Sequence, residues 1–187
     1  MSFELTDRPI APKVILVDDK NRYLRDISYT SPKIATAPIE KDLRADGQRL
    51  IVYSDGGSRN NPGPAACAYI ICSEDGDILK KGSRYLGIMS NNEAEYHGLI
   101  DALTEAKELG AFEIAITMDS ELVVRQVRGE YKIKAENLKP LFATVQGLLS
   151  SFRRYDILHA PREHPMISKA DELVNIELDL MSQRTKL

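Results

Sequence analysis

Residues 50–86 read LIVYSDGGSRNNPGPAACAYIICSEDGDILKKGSRYL. The β-branched and aromatic run at 50–55 predicts a strand. A Gly/Asn/Pro cluster from 56 to 64 interrupts it. A second apolar run at 65–73 predicts the next strand. The Asp75-Gly76 pair is a strong short-range hairpin signal, and a third strand is expected at 78–86. Together these segments predict an antiparallel meander.

Working outward, residues 92–109 have helical periodicity, with Tyr96, Leu99, Ile100, Leu103 and Ala106 recurring at three- and four-residue steps. Gly110 is placed to stop that helix. A strand is expected at 113–118, and Ser120 is a plausible N-cap for a helix at 121–128. After a loop at 129–137, a helix is expected at 138–152, with Pro140 in its first turn. A strand at 155–160 and a helix at about 168–182 complete the pattern. The order βββαβααβα implies an α/β fold. Its sheet is mixed and five-stranded, three antiparallel strands followed by two parallel ones, with helices flanking it and right-handed crossovers.

Residues 1–47 stand apart as an N-terminal extension. Residues 14–29 predict a β-hairpin with its turn at Asp18–Asn21, and a Pro-containing linker follows from Ser31 to Pro38. A short helical turn is expected near residues 40–47. No catalytic signature occurs there. The extension reads either as extra strands packed on the main domain or as a binding appendage. The expected division is 1–47 and 48–187.

With 187 residues, of which 43% are hydrophobic, the chain can form one domain with a core plus a small extension. It contains no apolar run of about 18 residues, so no transmembrane helix is expected. The start of the chain lacks the pattern of a secretory signal, and the expected compartment is the cytoplasm. Cys67 and Cys72 lie five apart on one expected strand, so they face opposite sides and cannot bridge. They read as buried thiols in a reducing compartment. The net charge is −3, and the first 47 residues are charge-balanced. Binding to a polyanion should therefore be modest, salt-sensitive and assisted by metal.

Four acids occupy distinctive contexts: Asp55 in YSDGGSRNNPGPAA, Glu95 in SNNEAEYHGL, Asp119 in ITMDSELVVRQV and Asp171 in SKADELVN. Gathered at one point they would repel one another unless divalent cations neutralised them. An oxygen-ligand Mg²⁺ or Mn²⁺ site would do so. Each acid has a plainer explanation. On a helix, Glu95 falls near the line of Leu99, Ala102 and Ala106, pointing inward, yet it could snorkel to water. Asp55 before Gly-Gly could be turn chemistry. Asp119 and Asp171 could complement helix N-termini. Asn91 and Asn92 could each be an N-cap. The basic residues Arg125, Arg128, Lys132 and Lys134 could be a solvated face.

In this order the four contexts resemble type 1 ribonucleases H, in the compact form of archaea and many bacteria. The stretch GEYKIKAENLKPLF at 129–142 adds to the likeness, which covers roughly residues 48–181. The resemblance implies an endonuclease that hydrolyses the RNA strand of RNA–DNA hybrids, leaving 5′-phosphate and 3′-hydroxyl ends. It implies Asp55, Glu95 and Asp119 as core ligands and Asp171 as completing a second metal site. Two Mg²⁺ ions are implied, with Mn²⁺ as a substitute and no organic cofactor. Nucleic-acid contacts are implied at Gly56, Gly57, Ser58, Asn60, Ser90, Asn91 and Asn92, with the four basic residues bordering the DNA strand. Backbone groups of the 56–64 loop would touch the 2′-hydroxyls that distinguish RNA. The implied partner is a hybrid, with duplex RNA a second candidate, and the implied state is a monomer.

Two features depart from the family pattern. Where many relatives carry a His ten residues before the last acid, this chain has Pro161, followed by Arg162. His159 and His164 are near but not at that place, and Arg162 is the candidate for the loop's role. Residues 129–137 are also too few for the basic helix that some relatives insert. Two rival readings remain at this stage. One is a non-catalytic nucleic-acid-binding module on the same fold. The other is a different nuclease of the wider superfamily.

Overall fold

The computed structural model describes residues 48–184. The hairpin, linker and helical turn expected within residues 1–47 lie outside the described residues. The elements run β1 (Gln48–Ser58), β2 (Gly63–Cys72), β3 (Ile78–Met89), α1 (Asn91–Glu108), β4 (Ala111–Met118), α2 (Glu121–Val127), α3 (Leu138–Leu149), β5 (Arg154–His159) and α4 (Pro165–Arg184). The sheet order is β3-β2-β1-β4-β5. β1, β2 and β3 pair antiparallel, and β4 pairs parallel with both β1 and β5. This is the mixed sheet that the sequence pattern implies. Among the described residues no helix is long and apolar enough to cross a membrane.

Three boundaries differ from expectation in ways that matter for the site. β1 does not stop at Asp55: Gly56, Gly57 and Ser58 go on pairing with Cys67, Ala66 and Ala65 of β2. Asp55 is therefore held inside a strand rather than in a turn. The N-cap of α1 is Ser90, not Asn91 or Asn92. Glu93 lies three residues after Ser90, and the two exchange side-chain and backbone bonds in a capping box. α4 begins at Pro165, a residue suited to the first helical position, so Asp171 sits in the second turn rather than at the helix start.

Side chains alternate along β2. Tyr69 and Ile71 join the main core with Tyr96, Leu99 and Leu103 of α1 and Val145 and Leu149 of α3. Ala66, Ala68, Ile70 and Cys72 face Ala170, Val174 and Leu178 of α4. Cys67 points to the α1 side, where its thiol donates to Asp101. Both cysteines are free and buried, on opposite faces as expected.

Small residues bring α1 onto the backbone of β1. A Cβ at Gly56 would lie 2.2 Å from the Ala94 carbonyl, and one at Gly98 would lie 2.5 Å from the Asp55 carbonyl oxygen. No side chain fits in either gap. Gly56 thus serves helix packing, and it is buried from solvent. This close approach carries Glu95 alongside Asp55. A Gly56→Ala change would force the helix off the strand and separate the two carboxylates.

Candidate active site

Asp55 lies on β1 opposite Ala68 of β2. Its Oδ1 accepts the Gly56 N–H at 2.8 Å. Glu95, one turn into α1, has Oε1 bonded by the Asn91 amide at 3.0 Å. Asp119 follows β4 directly, just before the Ser120 N-cap of α2. The side-chain atoms Asp55 Oδ2, Glu95 Oε2 and Asp119 Oδ1 are all buried without a hydrogen-bond partner. A buried, unpartnered carboxylate oxygen is costly. Three of them in mutually repelling carboxylates ask for a cation.

The acid pKa values record the same crowding. Burial, then repulsion from Asp119, pushes the Asp55 carboxyl up to about 7, against the pull of the Gly56 N–H; Asp171 repels it too. Burial pushes Glu95 up to about 8; the Ser120 hydroxyl counters this, and Asp119 and Asp55 add repulsion. Asp171 is placed differently. It pairs with the Arg162 guanidinium, and its Oδ2 accepts from the Asn175 amide at 3.1 Å. Arg162 feels the negative charges of Asp171, Asp55 and Asp119 together.

The donor set is all carboxylate, which suits a hard, oxygen-preferring ion such as Mg²⁺ or Mn²⁺. The side chains are not drawn into a closed cage. Among the described residues no three His, Cys, Asp or Glu groups already stand as a metal-holding cluster. Mutual repulsion between like charges opposes such closure.

The expected nucleic-acid contacts divide into two groups. Asn60 and Asn92 are exposed, and Gly57, Ser58 and Ser90 are half-buried. Asn91 is occupied by the protein itself. Its amide holds Glu95, its Oδ1 accepts the Ser58 N–H at 3.3 Å, and its own N–H donates to Asn61 Oδ1 at 2.9 Å. It clasps β1, the β1–β2 loop and Glu95 together. The four basic residues divide as well. Arg128 donates from Nε and Nη2 to the Ile157 carbonyl, and Arg125 pairs with Glu121 and lies over the Tyr131 ring. Lys132 and Lys134 have no such partner among the described residues. The His159 ring meets the Asp119 carbonyl oxygen at 3.1 Å, through Nε2.

Sequence reasoning missed several supporting side chains. Asn175, four residues after Asp171, was open to a helix-spacing argument. The reach of Arg59 to Asp179 at 2.6 Å, which ties the β1–β2 loop to α4 across 120 residues, had no local signal.

A β3-β2-β1-β4-β5 sheet, with acids on β1, α1, the end of β4 and α4 that repel one another electrostatically, is that of the ribonuclease H-like class. Comparison with known proteins agrees. A family model described as "Reverse transcriptase-like" matches residues 53–176. Ribonuclease HI of Halobacterium salinarum is 38% identical over 149 residues, covering 80% of this chain and 72% of that protein. A bifunctional protein of Mycobacterium tuberculosis is 40% identical over 136 residues, 72% of this chain but only 37% of its own length. The solved N-terminal RNase H domain of that protein superimposes with a TM-score of 0.71 at 38% identity, covering 74% of this chain and 99% of the domain. LC11-RNase H1, solved in complex with an RNA/DNA hybrid, gives a TM-score of 0.67 at 40% identity, over 71% of this chain and 98% of its own. The chain belongs to the ribonuclease H family.

Proposed function

We propose that this protein is a metal-dependent endonuclease that hydrolyses the RNA strand of RNA–DNA hybrids, leaving 5′-phosphate and 3′-hydroxyl ends. The observation that carries the reading is the set of unpartnered, buried oxygens on Asp55, Glu95 and Asp119, in a chain of this family. Asp55, Glu95 and Asp119 would hold two Mg²⁺ ions together with Asp171, and Mn²⁺ would substitute. Such ions supply, when bound, charge neutralisation at the scissile phosphate and a water acidic enough to attack it.

The protein's own groups do the rest. Asn91 holds Glu95 in place. Arg162 remains cationic at all working pH values, so it attracts a phosphate oxygen or the product rather than shuttling protons. Gly57, Ser58, Asn60, Ser90 and Asn92 would meet the two strands. Residues 48–187 would form the catalytic unit, and a chain starting near Gly47 should keep the metal-dependent chemistry. The protein would act as a monomer in the cytoplasm.

The test is digestion of matched RNA–DNA hybrid, duplex RNA, duplex DNA and branched DNA, with and without Mg²⁺ and at rising salt. Hybrid should be cut only with the ion, and cleavage should fall steeply with salt because few phosphate contacts hold the substrate. Duplex RNA is the second candidate substrate. Efficient cutting of duplex or branched DNA would point to another nuclease chemistry. Binding without cleavage would point to a non-catalytic module.

A further inference from the structure

The segment between β5 and α4 carries Arg162 and His164, and α4 carries Asp171. His164 immediately precedes Pro165, the first residue of α4. Its Nδ1 accepts the Met166 backbone N–H at 3.3 Å. An imidazole thus does what a Ser or Asp side chain does at most helix starts. The His164 carbonyl accepts from Ser168 N–H, and its own N–H donates to the Pro161 carbonyl, both at 2.9 Å. Its ring stacks on Tyr53 with centroids 5.5 Å apart and planes inclined by 29°. Tyr53 lies on β1, two residues before Asp55, and packs with Met166 against Ala170. His164 therefore fastens the start of α4 to the strand that carries Asp55.

We infer that His164 is a positioning residue: by capping α4 and stacking on Tyr53 it fixes Asp171 and Arg162 relative to Asp55, and it takes no part in proton transfer. The inference rests on the hydrolytic reading above. Because Nδ1 accepts from Met166, the ring proton sits on Nε2. The charged partner of Asp171 among the described residues is Arg162, not this imidazole. Burial also holds the His164 ring below its ordinary pKa, so the accepting form persists at neutral pH. Placement of this kind has kinetic consequences, since moving a group by about 1 Å can cost about 10²-fold in rate.

The experiment uses the full chain with His164→Ala, His164→Asn and Tyr53→Leu. Asparagine can cap a helix through its side-chain oxygen but cannot shuttle a proton. Three quantities are measured: amide exchange at Met166, Mn²⁺ affinity, and kcat and KM on a hybrid. His164→Ala should speed Met166 exchange, weaken Mn²⁺ binding and lower kcat about 10-fold with KM nearly constant. His164→Asn should restore most of each. Tyr53→Leu should lower kcat by a smaller factor, and its effect should not add to that of His164→Ala. An Asn variant as slow as the Ala variant, with Met166 still protected, would overturn the inference, because the imidazole would then be doing chemistry. Wild-type kcat in His164→Ala would overturn it as well. If the unaltered chain cuts no hybrid, the hydrolytic reading alone falls; Met166 exchange and Mn²⁺ affinity still decide whether the cap sets the site.

Discussion

Asp55 and Asp171 are the same residue type and repel each other, yet their surroundings are opposites. Asp55 forms the floor with Glu95 and Asp119. It is 4% exposed and Glu95 is 8% exposed, and each keeps an oxygen with no partner. Asp171 belongs to the rim. Its side chain is 25% exposed and is answered by Arg162 and Asn175. The floor cannot satisfy its own charge, whereas the rim can. In the proposed site the unpartnered oxygens of the floor would go to a cation outright, whereas Asp171 would meet it with its charge already tempered by Arg162.

The contrast breaks most visibly if the floor is neutralised without consequence. Asp55→Asn, Glu95→Gln and Asp119→Asn should each lower hybrid cleavage by at least about 10³-fold, on the order of 4 kcal/mol of barrier. Thermal melts in chelator should show these variants as stable as the unaltered protein or more so, because like-charge repulsion is relieved. Wild-type cleavage by Asp55→Asn would sink the assignment.

A pH series sharpens the same point. Asp55 and Glu95 have folded-state pKa values raised to about 7 and about 8 from ordinary values of 3.8 and 4.5. For a raised carboxyl the fold favours the protonated form. Its stabilising effect is complete below the unfolded value and is lost as pH climbs through the folded value. Metal-free protein should therefore lose thermal stability between about pH 4 and pH 8. Asp55→Asn and Glu95→Gln should flatten that slope. Added Mg²⁺ should raise the melting temperature most at the alkaline end, since it binds the ionised carboxylates. A flat profile in chelator would contradict the burial argument.

The rim should respond more mildly. Arg162→Ala should slow turnover about 10–100-fold, on the order of 1.4–2.7 kcal/mol, without a new pH dependence near neutrality. His159→Ala should do less. If Arg162→Ala were silent and His159→Ala severe, the rim would have been misassigned.

The smallest effects are expected at the basic residues beyond the rim. Lys132→Ala and Lys134→Ala should each weaken hybrid binding slightly and reduce its salt dependence by roughly one phosphate contact. Arg128→Ala should instead lower stability by about 1 kcal/mol, because its guanidinium serves a β5 carbonyl. Denaturant melts beside salt-dependent binding would separate the two behaviours.

Periodicity and punctuation were enough to read the meander, the helices and a mixed five-stranded sheet, and they put Glu95 near the inward line of its helix while leaving it free to snorkel. Those features are local: alternation, helical spacing, an Asp-Gly turn and a Gly stop all act within a few residues. The contexts of the four acids also pointed to the family. The sequence by itself left open whether Asp55 lay in a turn or a strand, since DGG suits both. The tertiary structure decided it, because Gly56 and Gly98 let α1 close onto β1 and the alanines of β2 extend the pairing. The clasp by Asn91, the reach of Arg59 to Asp179 and the cap by His164 were likewise decided in three dimensions. Hydrogen-bond partners and burial depend on which distant backbones approach, and that distance is set by packing across the whole sheet rather than by neighbours in the chain.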